Sequence, residues 1–326
     1  MSELNYEHVF NVLVDKTAEY VTSNNLKAMV LGISGGIDST VVAAICHEVS
    51  KKTDIPLIGR SLPIKNKEDE FSVSELVGEA FCDEFKVFNL SNSYKASLFD
   101  LCADAGLIKD CKGYDWYWVS DLEELTGRTP IANGNLQARC RMKHLYDIAS
   151  IRKGLVMSTD NQTEYQLGFW TIHGDVGDFD PIQDLWKTEV YELAEWLRMK
   201  YVKANQGHAD CYHDMGASQK EYAITQSIAL TPTDGLGISN SDLEQIGAKS
   251  YDEVDDILSR YIPFKEYRQK HGEPLHPHDE MAESDCWSQL CVRHGEDVVN
   301  KVWSRHLASE FKRKKAPIYI SRELYE

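Results

Sequence analysis

Residues 26–49, LKAMVLGISGGIDSTVVAAICHEV, admit few folds. Residues 28–33 are a short apolar run, suited to a strand buried on both faces of a parallel sheet. Ser34, Gly35 and Gly36 make a turn in which two glycines let the backbone approach a ligand and adopt φ values that side chains resist. From Ile37 onward, Val41, Val42, Ala44, Ile45 and Val49 recur at helical spacing. Strand, glycine turn and helix in that order form a phosphate cradle, because free amide N–H groups and the positive end of the helix dipole converge on the turn.

The residue types narrow the cradle. A loop of the GxxxxGK[ST] kind carries a lysine for the β- and γ-phosphates, and none lies between Gly32 and Thr40. Two hydroxyls, Ser34 and Ser39, and a carboxylate, Asp38, stand there instead. A carboxylate facing polyphosphate is repelled unless a cation sits between them, so Asp38 implies Mg2+. In an ordinary strand–helix turn Asp38 would serve only the helix dipole.

The chain has 326 residues, more than the roughly 250–300 at which one hydrophobic core stops growing. One α/β domain over residues 1–260 with a helical C-terminal extension over 261–326 is expected. The formal charge of −17 argues against a polynucleotide substrate, since a phosphate backbone is bound by basic surface. No apolar run approaches the ~18 residues of a membrane span, and Met1-Ser2-Glu3 begins no signal peptide, so no membrane partner and a cytoplasmic location are expected. The eight cysteines include no CxxC pair and read as small hydrophobes in a reducing compartment.

In chain order, residues 4–25 form an amphipathic helix with Val9, Leu13, Tyr20 and Val21 along one face. Residues 55–58 begin a second strand that ends near Arg60, residues 67–81 a helix, and residues 85–88 a third strand. Such alternation gives βαβ units and a parallel sheet, whose ligands bind beyond the carboxyl ends of the strands, where Ser34 and Arg60 lie. Residues 91–129 are irregular and include the aromatic cluster GYDWYWV, read as core or interface. Residues 133–151 form a helix in which Arg139, Arg141 and Lys143 gather positive charge, a solvated basic face or an anion clamp. Residues 155–158 make a fourth strand, followed by the polar turn TDNQTE, where Thr159 falls in place to hold adenosine and Glu164 to join Asp38 on a metal. Asp175, Asp178 and Asp180 form an acidic turn, Pro181-Ile182 begins a last short strand, and Lys187 opens another amphipathic helix.

The hexapeptide SGGIDS resembles the SGGxDS pyrophosphate loop of the ATP pyrophosphatase superfamily, whose members split ATP to AMP and pyrophosphate to activate a carboxylate or carbonyl. GISGGIDST, GNLQARCRM, STDNQTE, GDVGDFDPIQDLWKT, PTDGLGIS and YDEVDDIL occur in the order of ammonia-dependent NAD synthetases, over roughly residues 26–258. The resemblance implies an open, mostly parallel, five-stranded Rossmann-like sheet with helices on both faces, and a homodimer. By the same resemblance Gly32, Ile33, Ser34, Gly35, Gly36, Ile37, Asp38 and Ser39 hold the ATP phosphates. Asp38 and Glu164 hold Mg2+, and Thr159, Lys187 and Thr233 contact ATP; Arg60 is added to the ATP contacts from its place at a strand end. Arg139 and Asp178 meet deamido-NAD, as do Phe311 and Lys312, in a segment where the family has a His-Lys pair. Two positions depart from the pattern: Ile172 stands where a lysine is usual, and Phe311 where the histidine is. Arg141 and Lys314 are the cations left to compensate. The segments over residues 106–130, 202–231 and 263–301 look longer than the family needs, and the histidines within HADCYH and HGEPLHPHD read as surface loops rather than zinc sites.

The implied reaction is amidation of deamido-NAD: its nicotinate carboxylate attacks the α-phosphate of ATP, pyrophosphate leaves, and ammonia displaces AMP from the acyl-adenylate. Lys187 and Asp178 are the catalytic candidates, the first on departing pyrophosphate and the second on the ammonium proton. The loop begins at residue 34, leaving no room upstream for a glutaminase domain, so free ammonia is the expected nitrogen source. Two other readings stay open: an adenylating enzyme with another acceptor, including a tRNA-modifying one, and a non-catalytic ATP-binding sensor.

Overall fold

Alternation of side chains along β1 (Met29–Gly32) sets the layers of the molecule, because successive residues of a strand face opposite ways. Met29, Leu31 and Ile33 enter one core cluster, and Ala28 and Val30 enter another on the opposite face. The computed structural model describes residues 4–64, 68–106, 123, 127–206, 215–231, 241–271 and 277–313.

Parallel strands β1, β2 (Leu57–Ser61), β3 (Glu84–Val87) and β4 (Leu155–Val156) are ordered β3-β2-β1-β4. Met29 pairs with both Leu57 and Leu155, and Gly32 with Arg60. The chain therefore leaves β1 in one direction and returns as β4 on its other side, so the end of β1 is a topological switch point, where open α/β sheets bind ligands.

The fifth strand expected from Pro181-Ile182 does not form; a single parallel bridge, Met157 to Phe179, stands two residues ahead of it. Leu155 and Met157 donate to β1, so the Val156 N–H faces the outer edge. There the Asp178 carboxylate accepts it at 3.0 Å, in the place of a strand carbonyl. Pro181, two residues past the bridge, has no N–H to continue the ladder. Among the described residues the sheet thus has four strands.

On one face lie α1 (Tyr6–Ser23), α2 (Ile37–Thr53), α3 (Glu68–Phe81) and two later helices. The opposite face carries α4 (Ser91–Asp104) and α5 (Pro130–Arg152). α1 buries Phe10, Val14 and Val21, while Tyr20 stays half exposed against the Phe179 ring. α2 is buried on nearly every side, with Val41, Val42, Ala43, Ala44 and Ile45 all inaccessible. α5 begins three residues ahead of the expected start, because Thr129 caps Ala132 N and Pro130 occupies the first turn.

After β4 come α6 (Gln162–Leu167), α7 (Lys187–Gln206) and α8 (Met215–Ala229), the last two packing on α2. α9 (Asp242–Ile246), α10 (Tyr251–His271), α11 (Pro277–His294), α12 (Glu296–Ala308) and α13 (Glu310–Arg313) follow among the described residues. They gather a third core from Ile246, Val254, Ile257, Leu258, Val299 and Val302, joined by Leu167 of α6. Among the described residues no helix is long and apolar enough to cross a membrane.

Candidate active site

The loop between β1 and α2 is shaped by its own residues. Gly35 takes φ 87°, a conformation that a Cβ resists, and Gly36 precedes α2 with no side-chain cap. The N-terminus of α2 is thereby left to an external acceptor. The Ser34 and Ser39 hydroxyls lie 3.0 Å apart across the turn; Ser34 is exposed, and Ser39 also donates to Gly36 O at 3.0 Å. The Thr40 hydroxyl pairs with that of Ser227 at 2.8 Å, pinning α2 to α8.

Three charges from three elements meet beside this loop. Lys187, only 2 % exposed, places Nζ 2.5 Å from Asp38 Oδ2 and 3.0 Å from Glu164 Oε1. The other Asp38 oxygen accepts from Asn161 Nδ2 at 2.9 Å. Asn161 also caps α6: its Oδ1 accepts from Glu164 N at 3.0 Å, and the Glu164 carboxylate reaches back to Asn161 N. Burial works to lower the Lys187 pKa, but Asp38 and Glu164 outweigh it and hold the ammonium well above the ordinary lysine range. Burial pushes the Glu164 carboxyl up to about 7 against the pull of Lys187, and the Asp38 charge adds to the rise. One ammonium bridges two carboxylates, so the acids are already spaced to share one cation.

The acidic turn lies alongside. Burial, reinforced by Asp175 and Glu164, holds Asp160 well above the usual carboxylate range, and burial raises Asp180 to about 7. Asp180 accepts from Asp160 N at 3.1 Å and from Ile182 N at 3.0 Å. The turn closes tightly on β4: a Cβ on Gly177 would stand 2.7 Å from Ser158 N.

The expected phosphate loop, Asp38, Glu164 and Lys187 are thus brought together, with half-buried Thr159 just past the end of β4. Arg60 is turned away along the sheet: its guanidinium bonds Gly59 O at 2.8 Å and Glu84 at 2.5 Å, while its own carbonyl accepts from Ile33 N. Arg139 reaches Ile172 O at 3.1 Å, linking α5 to the acidic turn. Asp178 accepts from Val156 N and, at 2.9 Å, from the Tyr146 hydroxyl. Lys312 donates to Gly168 O at 2.6 Å and to Trp170 O, so it clasps the turn after α6, whereas the Phe311 ring is 56 % exposed. Arg141 donates to Leu62 O at 3.0 Å. Thr233, Lys314, the GYDWYWV cluster, HADCYH and the middle of HGEPLHPHD lie outside the described residues.

Sequence reasoning did not single out Asn161, Thr163 or Asp255. Asn161 carried a local signal, an Asn followed three residues later by Glu. Asp255 carried a weaker one, an acid set among the apolar Val254, Ile257 and Leu258.

An open parallel sheet with an uncapped helix at its switch point, a paired-serine glycine loop and two carboxylates sharing one lysine is consistent with the class that the SGGIDS resemblance implies, the ATP pyrophosphatases. A family model described as NAD synthase matches residues 9–316. The chain belongs to the NAD synthase family, and so is an ATP-using ligase. A relative from Campylobacter jejuni, named NH(3)-dependent NAD(+) synthetase, is 30 % identical over 199 residues, which is 60 % of this chain and 70 % of the relative. The fold is shared with an NMN synthetase from Francisella tularensis (TM-score 0.64, 21 % identity, 98 % of this chain and 100 % of that one). It is shared too with an NH3-dependent NAD synthetase from C. jejuni (TM-score 0.60, 20 % identity, 97 % and 100 %).

Proposed function

We propose that this protein amidates deamido-NAD with ammonia at the end of β1, consuming ATP and releasing AMP and pyrophosphate. The observation that carries the reading is the Lys187 ammonium shared by Asp38 and Glu164 beside the Ser34–Ser39 pair. The nicotinate carboxylate attacks the α-phosphate, the bond to the bridging oxygen breaks, and the electron pair leaves on pyrophosphate. Loop N–H groups and the two serine hydroxyls face the charge that grows there, where preorganised donors act most strongly. Lys187, freed from its carboxylates, adds a mobile positive charge. Ammonia then attacks the acyl carbon and AMP departs.

A hard divalent cation such as Mg2+ suits the donor set, two carboxylates already spaced around a single cation. Asp38 and Glu164 would hold it, and it would neutralise polyphosphate charge. Ammonium is received at the acidic turn, with Asp178 as the group that removes its proton. In the same reading Lys312 and Arg313 hold the C-terminal helices on the turn after α6, gripping Gly168 O and Gln166 O, and α10 runs unbroken across the boundary expected between residues 1–260 and 261–326. A homodimer belongs to the same reading and rests on family resemblance; a cytoplasmic location belongs to it too and rests on the sequence pattern.

The test is pyrophosphate release from ATP with ammonia, with and without deamido-NAD. Release that requires deamido-NAD and yields NAD supports the reading; equal release without it, or only with tRNA, overturns it. Nicotinate mononucleotide is the control acceptor, because Ile172 and Phe311 replace two substrate-facing family residues. Robust synthesis from glutamine by the chain alone would contradict free ammonia as the nitrogen source.

A further inference from the structure

Asp255 is fully buried in α10, on a helix face it shares with Val254, Ile257 and Leu258 of the third core. A carboxylate in such surroundings is costly unless each oxygen is bonded. Here the two oxygens serve different elements. Oδ1 accepts from the Thr163 hydroxyl at 2.5 Å, and Oδ2 from the backbone N–H of Thr188 at 3.0 Å. The Thr163 hydroxyl oxygen in turn accepts from the backbone N–H of Lys187 at 2.9 Å. The first two N–H groups of α7 are therefore satisfied from α6 and α10, and an acid at a helix N-terminus also complements the dipole.

Thr163 immediately precedes Glu164, and Thr188 immediately follows Lys187. We propose that Asp255 is a positioning residue for adenylate formation, fixing with one oxygen the segment that carries Glu164 and with the other the segment that carries Lys187. Lys187 is the first residue of its helix, so the direction of its side chain follows from how that terminus is tied down. Nζ must meet two carboxylates at 2.5 and 3.0 Å, and slack at the terminus is passed to Nζ directly. The same bonds attach the site to the third core, so the packing of the C-terminal helices is felt at the phosphate loop. The inference rests on the assignment of Lys187 and Glu164 to ATP handling.

The experiment measures kcat and KM for ATP in deamido-NAD-dependent pyrophosphate release, with Tm as the control for folding, across Asp255→Ala, Asp255→Asn, Thr163→Val and Thr163→Ser. A misplacement near 1 Å costs about 10²-fold, so D255A and T163V are expected to lose about that in kcat, with KM for ATP changed less than about threefold. D255N recovers most of the loss, because its amide oxygen accepts from Thr188 N while its NH2 donates to the Thr163 oxygen; T163S recovers it by keeping the hydroxyl. In a Lys187→Met background, D255A adds less than about threefold, since no ammonium is left to misplace. Losses that multiply in the double variant, or a lowered Tm with kcat intact, overturn the proposal. If D255A does not fold, T163V against T163S decides it: equal kcat in the two overturns it. Unchanged pyrophosphate release in K187M alone would instead remove the site assignment, and this inference with it.

Discussion

Replacing Lys187 by Met removes one ammonium and strands two carboxylates. The side chain is 2 % exposed and is bonded at 2.5 and 3.0 Å to Asp38 and Glu164, so neither acid has a substitute partner of opposite charge in the observed contacts. Breaking a buried pair from one side costs about 3–5 kcal/mol. For 326 residues, at about 2.1 cal/mol/K each, the entropy of unfolding is about 0.7 kcal/mol/K, so Tm falls by about 4–7 °C near pH 8. The pH dependence has a definite sign. Without the ammonium, the Glu164 carboxyl loses the attraction that pulls it down and moves further up than burial already pushes it, so the folded variant binds more protons than the folded wild type. Its stability then falls as pH rises, and the deficit shrinks on going from pH 8 to pH 5. Mg2+ without nucleotide partly restores the variant, because the ion no longer competes with Nζ: at tenfold over its dissociation constant the gain is about 1.4 kcal/mol, or about 2 °C. Thermal unfolding at the two pH values, with and without Mg2+, reads all of this. A Tm loss below about 1 °C, a deficit equal at pH 5 and pH 8, or equal Mg2+ shifts in variant and wild type would refute the shared-cation picture.

Gly35→Ala puts a Cβ on a residue at φ 87° and is expected to cost roughly 1–3 kcal/mol, appearing as weaker ATP binding in calorimetry together with a lower Tm. Asp178→Asn is expected to slow amide formation more than adenylate formation when the two steps are assayed separately; unimpaired rates for both would remove Asp178 from proton transfer. Burial raises the Asp255 carboxyl to about 6, so the folded chain keeps that proton to higher pH than the unfolded chain does. Stability from this group is full below the unfolded pKa and lost as pH rises through about 6. Between pH 5 and pH 7.5 the wild type should therefore lose about 1–1.5 kcal/mol that Asp255→Asn does not lose, seen as convergence of the two Tm values.

What could be read from the chain before folding was local in sequence. The run of β1, the glycines after it and the apolar spacing of α2 are consecutive, and each acts on its neighbours, so the strand, turn and helix followed without tertiary information. The start of α5 is also written locally, in Thr129-Pro130, but the polar Asn133-Gly134-Asn135 offers a competing helix start a turn later. The failure of the fifth strand to form was not legible, because it turns on one side chain, Asp178, taking the edge N–H of Val156.

Long-range pairing is where residue types say least. Arg60 ends a strand on the side of the sheet suited to a nucleotide contact, and only the pairing of β3 with β2 shows that Glu84 stands beside it at 2.5 Å. Lys187 meets Asp38 from 149 positions away and Glu164 from 23, a convergence that follows only once β4 has crossed to the far side of β1. Asp255 lies 92 positions from Thr163 and 67 from Thr188, and its burial depends on helices packed still later in the chain. The strand, glycine turn and helix proposed to hold the phosphates are thus encoded in one contiguous segment, whereas the charges gathered beside them are set by topology. Substitutions in residues 32–40 should damage ATP binding wherever that segment is placed, and substitutions at Asp255 should matter only in a chain whose C-terminal helices are in place.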